Sequence, residues 1–278
     1  MQDAICAALE RAARAPRSDA YEVELRVGVR TSAAGTRVRD ATTPATAFSS
    51  NVNRHLFFAS FAALCRRADE VSPRVDTTHS RYAAFPTLRM VQCGAQPLQW
   101  IDKQRVCVPR DFGLAARGHW FDVRLAVATE RATSEPDAIR EVRAIGSRIE
   151  NKFENARTRI GVPSYVRTRT RRSLRFRVAP EWRLDFTVVR PSRLVQIDTG
   201  VAAPEFTYDF EAELLEIELE YDVAPRRAVS AAGAAQHACA LLDELATALG
   251  TSMAHIKQRL LADRLAAEMA HAQAALTI

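Results

Sequence analysis

Two segments of the sequence carry glutamate at every second position. These glutamates are Glu22 and Glu24 in YEVELRVG, and Glu216, Glu218 and Glu220 in LLEIELEYDV. Alternate side chains of a β-strand lie on one face, so each segment predicts a strand with stacked carboxylates opposite an apolar face. Like charges at this spacing repel unless a cation neutralises them, and carboxylate oxygens favour Mg²⁺ or Mn²⁺ over zinc. A single E-x-E could be the solvated face of a surface strand, but two such strands favour a divalent-metal site.

A third segment, YVRTRTRRSLRFRV, carries basic residues with the same alternation. The row consists of Arg167, Arg169, Arg171, Arg175 and Arg177, with Ser173 between them. Guanidinium groups bind phosphate oxygens in a planar, bidentate geometry, so the segment predicts a strand with a phosphate-binding face. A surface strand of an RNA-binding protein would have a similar pattern.

Two further segments place acidic and basic residues together on one strand face. These residues are Asp122, Arg124 and Glu130 in FDVRLAVATE, and Arg183, Asp185 and Thr187 in WRLDFTVV. FPTLRMV adds Arg89, and WIDKQRV adds Lys103 and Arg105, whose relative register the sequence leaves open. Strands that each have one charged and one apolar face are satisfied if the sheet closes into an antiparallel β-barrel with a charged interior. Such an interior predicts a charged ligand.

Helices are expected around this barrel. Apolar residues at helical spacing predict one helix at residues 3–14 and a second after Ser50, in NRHLFFASFAALCRRADE. Residues 134–157 predict a charged helical insertion, which we expect to pack outside the barrel.

The C-terminal part of the sequence has a different composition. Residues 229–277 are rich in alanine with periodic Leu, Met and Ile, which predicts a helical hairpin split at Gly250–Thr251. We therefore expect a barrel domain at residues 1–228 and a helical hairpin at residues 229–278 packed on the barrel.

The overall composition excludes several classes of protein. The chain of 278 residues has 39 Lys and Arg against 33 Asp and Glu, and the net charge of +6 favours an anionic partner. Its five cysteines are scattered without CxxC spacing, which argues against a disulfide framework or zinc site and for a reducing intracellular compartment. No HExxH motif is present, and no apolar stretch is long enough to cross a bilayer, so we expect no membrane role.

Taken in order, these motifs resemble the metal-dependent RNA 5′-triphosphatases of the fungal, protozoan and viral mRNA-capping type, within the triphosphate tunnel metalloenzyme family. The resemblance runs from about residue 20 to residue 223 and consists of the two glutamate strands, DVRLAVATE, RTRRS and RLDFTVV. It implies an α+β, mainly β fold: a closed antiparallel eight-stranded β-barrel, or tunnel, with helices packed outside. It also implies a hydrolase that depends on Mg²⁺ or Mn²⁺.

The resemblance assigns roles to individual residues. The implied metal ligands are Glu22, Glu24, Glu216, Glu218 and Glu220, with the choice among the last three left open. The implied phosphate-binding residues are Arg26, Arg89, Lys103, Arg124, Arg169 and Arg171. Glu130 would orient the attacking water, and Asp185 would orient the arginines. Arg169 stands where the family more often has lysine, and the two residues are not interchangeable at a fitted phosphate site.

The implied reaction removes the γ-phosphate from 5′-triphosphate RNA. Two alternatives are a tunnel enzyme acting on inorganic triphosphate, thiamine triphosphate or nucleoside triphosphates, and a non-catalytic RNA-binding barrel. The sequence has no guanylyltransferase lysine motif, so we expect a separate RNA guanylyltransferase as partner, and a homodimer is compatible with the sequence. The expected location is nuclear or, for a viral protein, cytoplasmic or virus-associated.

Overall fold

The computed structural model describes residues 1–14, 20–32, 47–82, 85–93, 95–97, 99–116, 119–133, 165–197, 205–210, 212–222 and 229–275. The helices in these ranges are α1 (Gln2–Ala13), α2 (Arg54–Cys65) and α3 (Ala231–Ala275). The strands are β1 (Ala20–Thr31), β2 (Ala47–Ser49), β3 (Glu70–Tyr82), β4 (Phe85–Cys93), β5 (Gln99–Arg105), β6 (Arg110–Ala116), β7 (His119–Thr133), β8 (Tyr165–Arg175), β9 (Trp182–Ile197), β10 (Glu205–Phe210) and β11 (Leu214–Tyr221). The helical insertion expected at residues 134–157 lies outside the described residues.

Antiparallel pairings link eight of these strands in a cycle. Starting from β1, successive neighbours are β11, β9, β8, β3, β4, β5 and β7, and β7 pairs again with β1. The other strands extend the cycle. Along β7, the pairing with β6 precedes the pairing with β5, and along β9 the pairing with β10 follows the pairing with β11. Strand β2 pairs with the end of β1. The α+β, mainly antiparallel β class expected from the sequence is confirmed, and a cycle of pairings is the connectivity of a barrel.

The pairing register brings the charged faces of the strands to one side of the sheet. Directly opposed residues share a face, and Glu24 is opposed by Glu220 on β11 and by Ala126 on β7. Glu218 is opposed by Asp185 on β9, which is itself opposed by a serine on β8. The charged residues therefore line a common interior, as the strand alternation predicts.

The hydrophobic core lies on the opposite, outer face of these strands. Buried apolar side chains of the sheet, including Val23, Leu125 and Phe186, form one cluster with side chains of all three helices. The Trp182 indole donates a hydrogen bond to the Ala234 carbonyl oxygen of α3 at 2.8 Å. Packing of helices against the outside of the barrel thus stabilises the sheet, while the interior is left to charged groups.

The helix α2 begins close to its expected position after Ser50. The side chain of Asn53 accepts hydrogen bonds from the backbone N–H groups of His55 and Leu56, at 3.0 and 3.4 Å, and so caps the helix. One edge-to-face contact, with ring centroids 5.4 Å apart, joins Phe57 of this helix to Phe186 of β9.

The C-terminal segment differs from the expected hairpin, because α3 is one continuous helix of 45 residues. Gly250 and Thr251 lie inside it. The Thr251 hydroxyl donates to the Thr247 carbonyl oxygen at 2.8 Å, and the Ser252 hydroxyl donates to Ala248 in the same way. One glycine costs a helix only about 1 kcal/mol, and the surrounding Ala and Leu residues offset this cost. None of the described helices is long and apolar enough to span a membrane.

We predict that Gly28→Ala destabilises the protein, whereas Gly233→Ala does not. A Cβ atom at Gly28 would lie 2.2 Å from the Ser49 carbonyl oxygen and 2.5 Å from the Phe48 ring, so β2 would have to move. The expected loss in free energy of unfolding is about 2 kcal/mol. At Gly233, in the first turn of α3, the nearest atom would be a flexible valine methyl at 3.1 Å, and the helix gains from alanine. Urea unfolding measures the free energy of unfolding of both variants. Equal losses of stability in Gly28→Ala and Gly233→Ala would contradict this prediction.

Candidate functional site

The glutamates of β1 and β11 meet across the boundary between these strands. Glu24 lies directly opposite Glu220, and Arg26 lies opposite Glu218. Glu24 and Glu218 are buried, and Glu220 is half-buried. The structure thus brings together three of the glutamates that the sequence predicts as metal ligands.

Burial and neighbouring charges perturb these carboxyl groups in opposite directions. Burial raises the pKa of Glu24, and Glu218 and Glu220 add to this shift against the charge of Arg26. Burial likewise raises the pKa of Glu220 more than Arg183 lowers it. Glu218 is also desolvated, but the surrounding cations outweigh burial and lower its pKa to about 2. These cations are Arg26, Arg169, Arg171 and Lys103. Glu218 is therefore ionised, while Glu24 and Glu220 would gain from an added positive charge.

Arg26 lies between carboxylates and not in the basic part of the interior. Its NH2 group is 2.9 Å from Glu24 and its Nε atom is 2.8 Å from Glu218. Burial lowers its pKa, but the carboxylates of Glu218, Glu24 and Glu216 outweigh burial and raise it. Arg26, which is predicted from the sequence to bind phosphate, therefore lies at the junction between the acidic and basic groups.

Lys103 connects β5 to two of the predicted site glutamates. Its ammonium group contacts the Glu22 carboxylate and lies 3.2 Å from Glu130, which it opposes directly on β7. Arg105 lies on the same strand face but is exposed. Of the two basic residues whose register the sequence left open, Lys103 is the one in contact with the site.

The remaining basic residues form a wall from β4 and β8. Arg169 lies 3.7 Å from Glu216, and Arg171 lies 3.2 Å from Asp185. Arg89 of β4 has no carboxylate within 4 Å among the described side chains. Burial and the neighbouring Arg169 lower the pKa of Arg89. An anion between these groups would therefore be favourable.

Asp185 is the centre of a buried polar network on β8 and β9. It accepts a hydrogen bond from the Ser173 hydroxyl at 2.6 Å, and its two oxygens share a bifurcated hydrogen bond from Arg183 Nε, each at 3.0 Å. Arg171 forms an ion pair with the same carboxylate, and Arg183 also donates to Glu220 at 2.5 Å. The network joins Asp185 to Arg171 but not to Arg169, the other arginine that the sequence analysis expects Asp185 to orient. Among the described side chains, the carboxylate within 4 Å of Arg169 is that of Glu216, at 3.7 Å.

Arg124, a predicted phosphate-binding residue, is held in a bidentate pair. Its Nε and NH2 groups donate to the two oxygens of Asp111 at 2.7 and 2.8 Å, and its guanidinium lies 4.3 Å from the centroid of the Phe48 ring. The nearby Asp122 is fully buried and accepts from Arg30 Nε and from its backbone N–H at 2.9 and 3.0 Å. Each arginine of these two pairs is neutralised by its own aspartate. Arg124 is therefore less available to bind a ligand than Arg89.

The carboxylates have the chemistry of a hard-cation site without a preformed cage. Within the described ranges, no group of three or more His, Cys, Asp or Glu side chains is arranged to hold a metal. Two buried oxygens, Glu216 Oε2 and Glu218 Oε1, nevertheless lack a hydrogen-bond partner. The Glu218 atom lies 2.8 Å from Arg26 Nε, but the pair is not aligned as a hydrogen bond. Glu216 Oε2 is directed towards Arg169, whereas the Glu218 oxygen, on the strand edge where Glu24 meets Glu220, is a donor of the kind that fits Mg²⁺ or Mn²⁺.

Arg183 and Ser50 contact site carboxylates, although no site role is predicted for them from the sequence. Arg183 lies on the charged face of WRLDFTVV, two residues before Asp185, so the alternation could have identified it. Ser50 lies in the turn before α2, where its hydroxyl donates to Glu216 Oε1 at 3.0 Å. No spacing in the sequence indicates this contact.

The fold is similar to that of a known RNA triphosphatase. The S. pombe Pct1 RNA triphosphatase matches with a TM-score of 0.54 over 94% of this chain and 91% of that chain, at 16% sequence identity. The RNA triphosphatase domain of a trifunctional mimivirus mRNA capping enzyme matches with a TM-score of 0.41, 12% identity and coverages of 88% and 96%. No protein-family profile matches the sequence, and neither does any curated protein. The fungal likeness shows a shared fold, in agreement with the sequence resemblance.

We predict that Asp185→Asn strongly destabilises the protein. The change leaves Arg171 and Arg183 close to a neutral group in a buried network, and breaking such a pair costs about 3 kcal/mol. The matched control is Glu10→Gln on α1, whose partner Arg14 is exposed, and it should have no clear effect. Equal urea midpoints for the two variants would show that Asp185 does not hold the network together.

Proposed function

We propose that this chain is a metal-dependent RNA 5′-triphosphatase that converts 5′-triphosphate RNA into 5′-diphosphate RNA and phosphate. The fold it shares with an RNA triphosphatase supports the proposal, as does an interior with carboxylates on one side and guanidinium groups on the other. In this role it would act in mRNA capping beside a separate RNA guanylyltransferase, in the nucleus or in a viral setting.

The main observation in support of this proposal is that Arg89 is buried beside another cation without a carboxylate in contact among the described side chains. This guanidinium is largely buried next to Arg169, and none of the described carboxylates is within 4 Å of it. The more distant Glu130 and Glu24 compensate its desolvation only in part, whereas Arg171 and Arg183 contact the Asp185 carboxylate directly. A phosphate between Arg89 and Arg169 would supply that compensation, because charge-assisted hydrogen bonds are strong in a desolvated site.

The phosphates would be held mainly by Arg89, Lys103, Arg169 and Arg171. Lys103 can exchange its contact with Glu22 for a phosphate oxygen, since an ammonium group is a flexible point charge. Release of Lys103 would also free Glu130, at present 3.2 Å from it, to orient the attacking water. Positioning and electrostatic stabilisation are the main requirements of phosphoryl transfer, and this wall would provide both.

The facing carboxylates would hold the cation. Glu24, Glu218 and Glu220 are the best placed, since they lie together and two of them have raised pKa values through burial. Mg²⁺ or Mn²⁺ bound there would stabilise the charge on the γ-phosphate oxygens. Arg26 now neutralises Glu24 and Glu218, so it would have to turn towards the phosphates when the cation binds.

The proposed activity is tested by comparing three substrates. We expect the purified chain to release phosphate from triphosphate-ended RNA with Mg²⁺ or Mn²⁺, and to lose this activity in excess chelator. Rates on nucleoside triphosphate and tripolyphosphate establish the substrate class. If tripolyphosphate were hydrolysed faster than RNA, tripolyphosphate and not RNA would be the substrate. If the chain bound RNA but released no phosphate with either metal, it would be a non-catalytic RNA-binding barrel.

We predict that Glu24→Gln lowers turnover by about 100-fold, because loss of one metal ligand removes a few kcal/mol of transition-state stabilisation. Glu244→Gln is the matched control and should retain activity, because Glu244 lies on α3, outside the barrel, where it is half-buried and pairs with Arg67. Steady-state rates at several Mn²⁺ concentrations measure the effect. A Glu24→Gln enzyme with unchanged rate and metal dependence would exclude Glu24 as a ligand.

We predict that Arg89→Ala raises KM for triphosphate-ended RNA by about tenfold or more, because one charged hydrogen-bonding partner of the phosphates is removed. Arg67→Ala is the control, since Arg67 pairs with Glu244 outside the barrel. Initial rates over a range of RNA concentrations separate KM from kcat. Equal KM values for the two variants would show that Arg89 does not bind the substrate.

A further inference from the structure

The turn between β2 and α2 is fixed to the beginning of β11. The Leu215 backbone N–H donates to the side-chain oxygen of Asn51 at 3.0 Å, and the Val52 N–H donates to the Leu215 carbonyl oxygen at 2.8 Å. Both backbone groups of Leu215 on this edge are thus satisfied by the turn. The turn takes the position that β1 leaves open, because the pairing of β1 with β11 begins at Glu218.

This arrangement brings the Ser50 hydroxyl to the interior carboxylate next to Leu215. Ser50 Oγ donates to Glu216 Oε1 at 3.0 Å, and Glu216 is only 4% exposed. The second oxygen, Glu216 Oε2, lies 3.7 Å from Arg169 and has no hydrogen bond. Glu216 is therefore held on one side by a serine and directed towards an arginine on the other.

Glu216 differs in this respect from the other glutamates of β11. Glu218 and Glu220 lie in the part of β11 that pairs with β1, and Glu220 directly faces Glu24. Glu216 lies beyond that part, opposite Thr187 of β9. Its nearest charged partner within 4 Å among the described side chains is a cation from the phosphate-binding wall.

We propose that Ser50 is a positioning residue that fixes Glu216, and through it the Arg169 guanidinium, for holding the substrate phosphates, and that Glu216 is not a metal ligand. The proposal rests on the triphosphatase function proposed above and divides the three β11 glutamates. In this assignment Glu218 and Glu220 bind the cation, and Glu216 positions Arg169. This assignment revises the metal-ligand role predicted for Glu216 from the sequence.

The first test compares three serine variants. Ser50→Ala removes the hydroxyl and is expected to raise KM for triphosphate-ended RNA about tenfold, with a smaller change in kcat, since a hydrogen bond to a charged group is lost. Ser50→Thr keeps a hydroxyl and should restore KM to near the unchanged value. Ser49→Ala is the matched control, because the Ser49 hydroxyl contacts only the Asn51 N–H among the described residues. Equal KM values for Ser50→Ala and Ser49→Ala would overturn the proposal.

The second test separates phosphate binding from metal binding. Glu216→Gln should weaken binding of tripolyphosphate to the full chain in excess chelator, measured by calorimetry, and raise KM at saturating Mn²⁺. The Mn²⁺ concentration needed for half-maximal activity should stay unchanged, whereas Glu220→Gln should increase it. An increase for Glu216→Gln as well would make Glu216 a metal ligand and overturn the proposal. Failure of the unchanged chain to release phosphate would instead contradict the proposed function. Calorimetry would still compare the affinities of Ser50→Ala and Ser49→Ala for tripolyphosphate, and equal affinities would overturn the role of Ser50.

Discussion

The interior of this protein depends on the mutual neutralisation of charges that have been removed from water. A buried carboxylate or guanidinium loses several kcal/mol of hydration, and only an opposite charge at short distance restores it. Asp185 and Asp122 illustrate this, since each is fully buried and each contacts arginine at about 3 Å. The strand register must therefore bring acidic and basic side chains within contact distance in the interior, even though some carboxylates, such as Glu24 and Glu220, directly oppose each other.

This constraint also determines where the hydrophobic core lies. Because one face of each central strand carries charge, the apolar face has to be covered from outside, and the three helices cover it. Leu242, Leu245 and Leu249 of α3 are buried in this layer. The same helix layer holds the strands in register, so packing outside the barrel supports charge pairing inside it.

Much of this organisation could be predicted from sequence, because it depends on local periodicity. Alternation with a period of two identified the strands that contain Glu24, Glu218 and Asp185, and it correctly placed their side chains on one face. The sequence could not identify which arginine pairs with which carboxylate, because this depends on the register of strands far apart in the chain. Arg124 is an example, since its partner Asp111 belongs to a hairpin strand that the sequence analysis did not assign.

The C-terminal helix and the Ser50 turn show two different limits of sequence-based prediction. Gly250 suggested a break, but a single glycine costs a helix only about 1 kcal/mol and the surrounding Ala and Leu residues favour the helix, so α3 continues through it. Ser50 carries no periodic signal at all, since it acts through one hydrogen bond from an irregular segment.

The interior ion pairs affect how a metal ion and a triphosphate would bind at the proposed site. Several interior cations are already paired: Arg26 with Glu24 and Glu218, and Lys103 with Glu22. A triphosphate alone would have to displace carboxylates from these cations, and a divalent metal alone would have to displace the cations from the carboxylates. When both ligands bind together, the metal neutralises the carboxylates while the phosphates neutralise the released cations. If the chain has the proposed function, the charge balance would therefore favour joint binding of metal and triphosphate, because each ligand would reduce the desolvation cost that the other incurs.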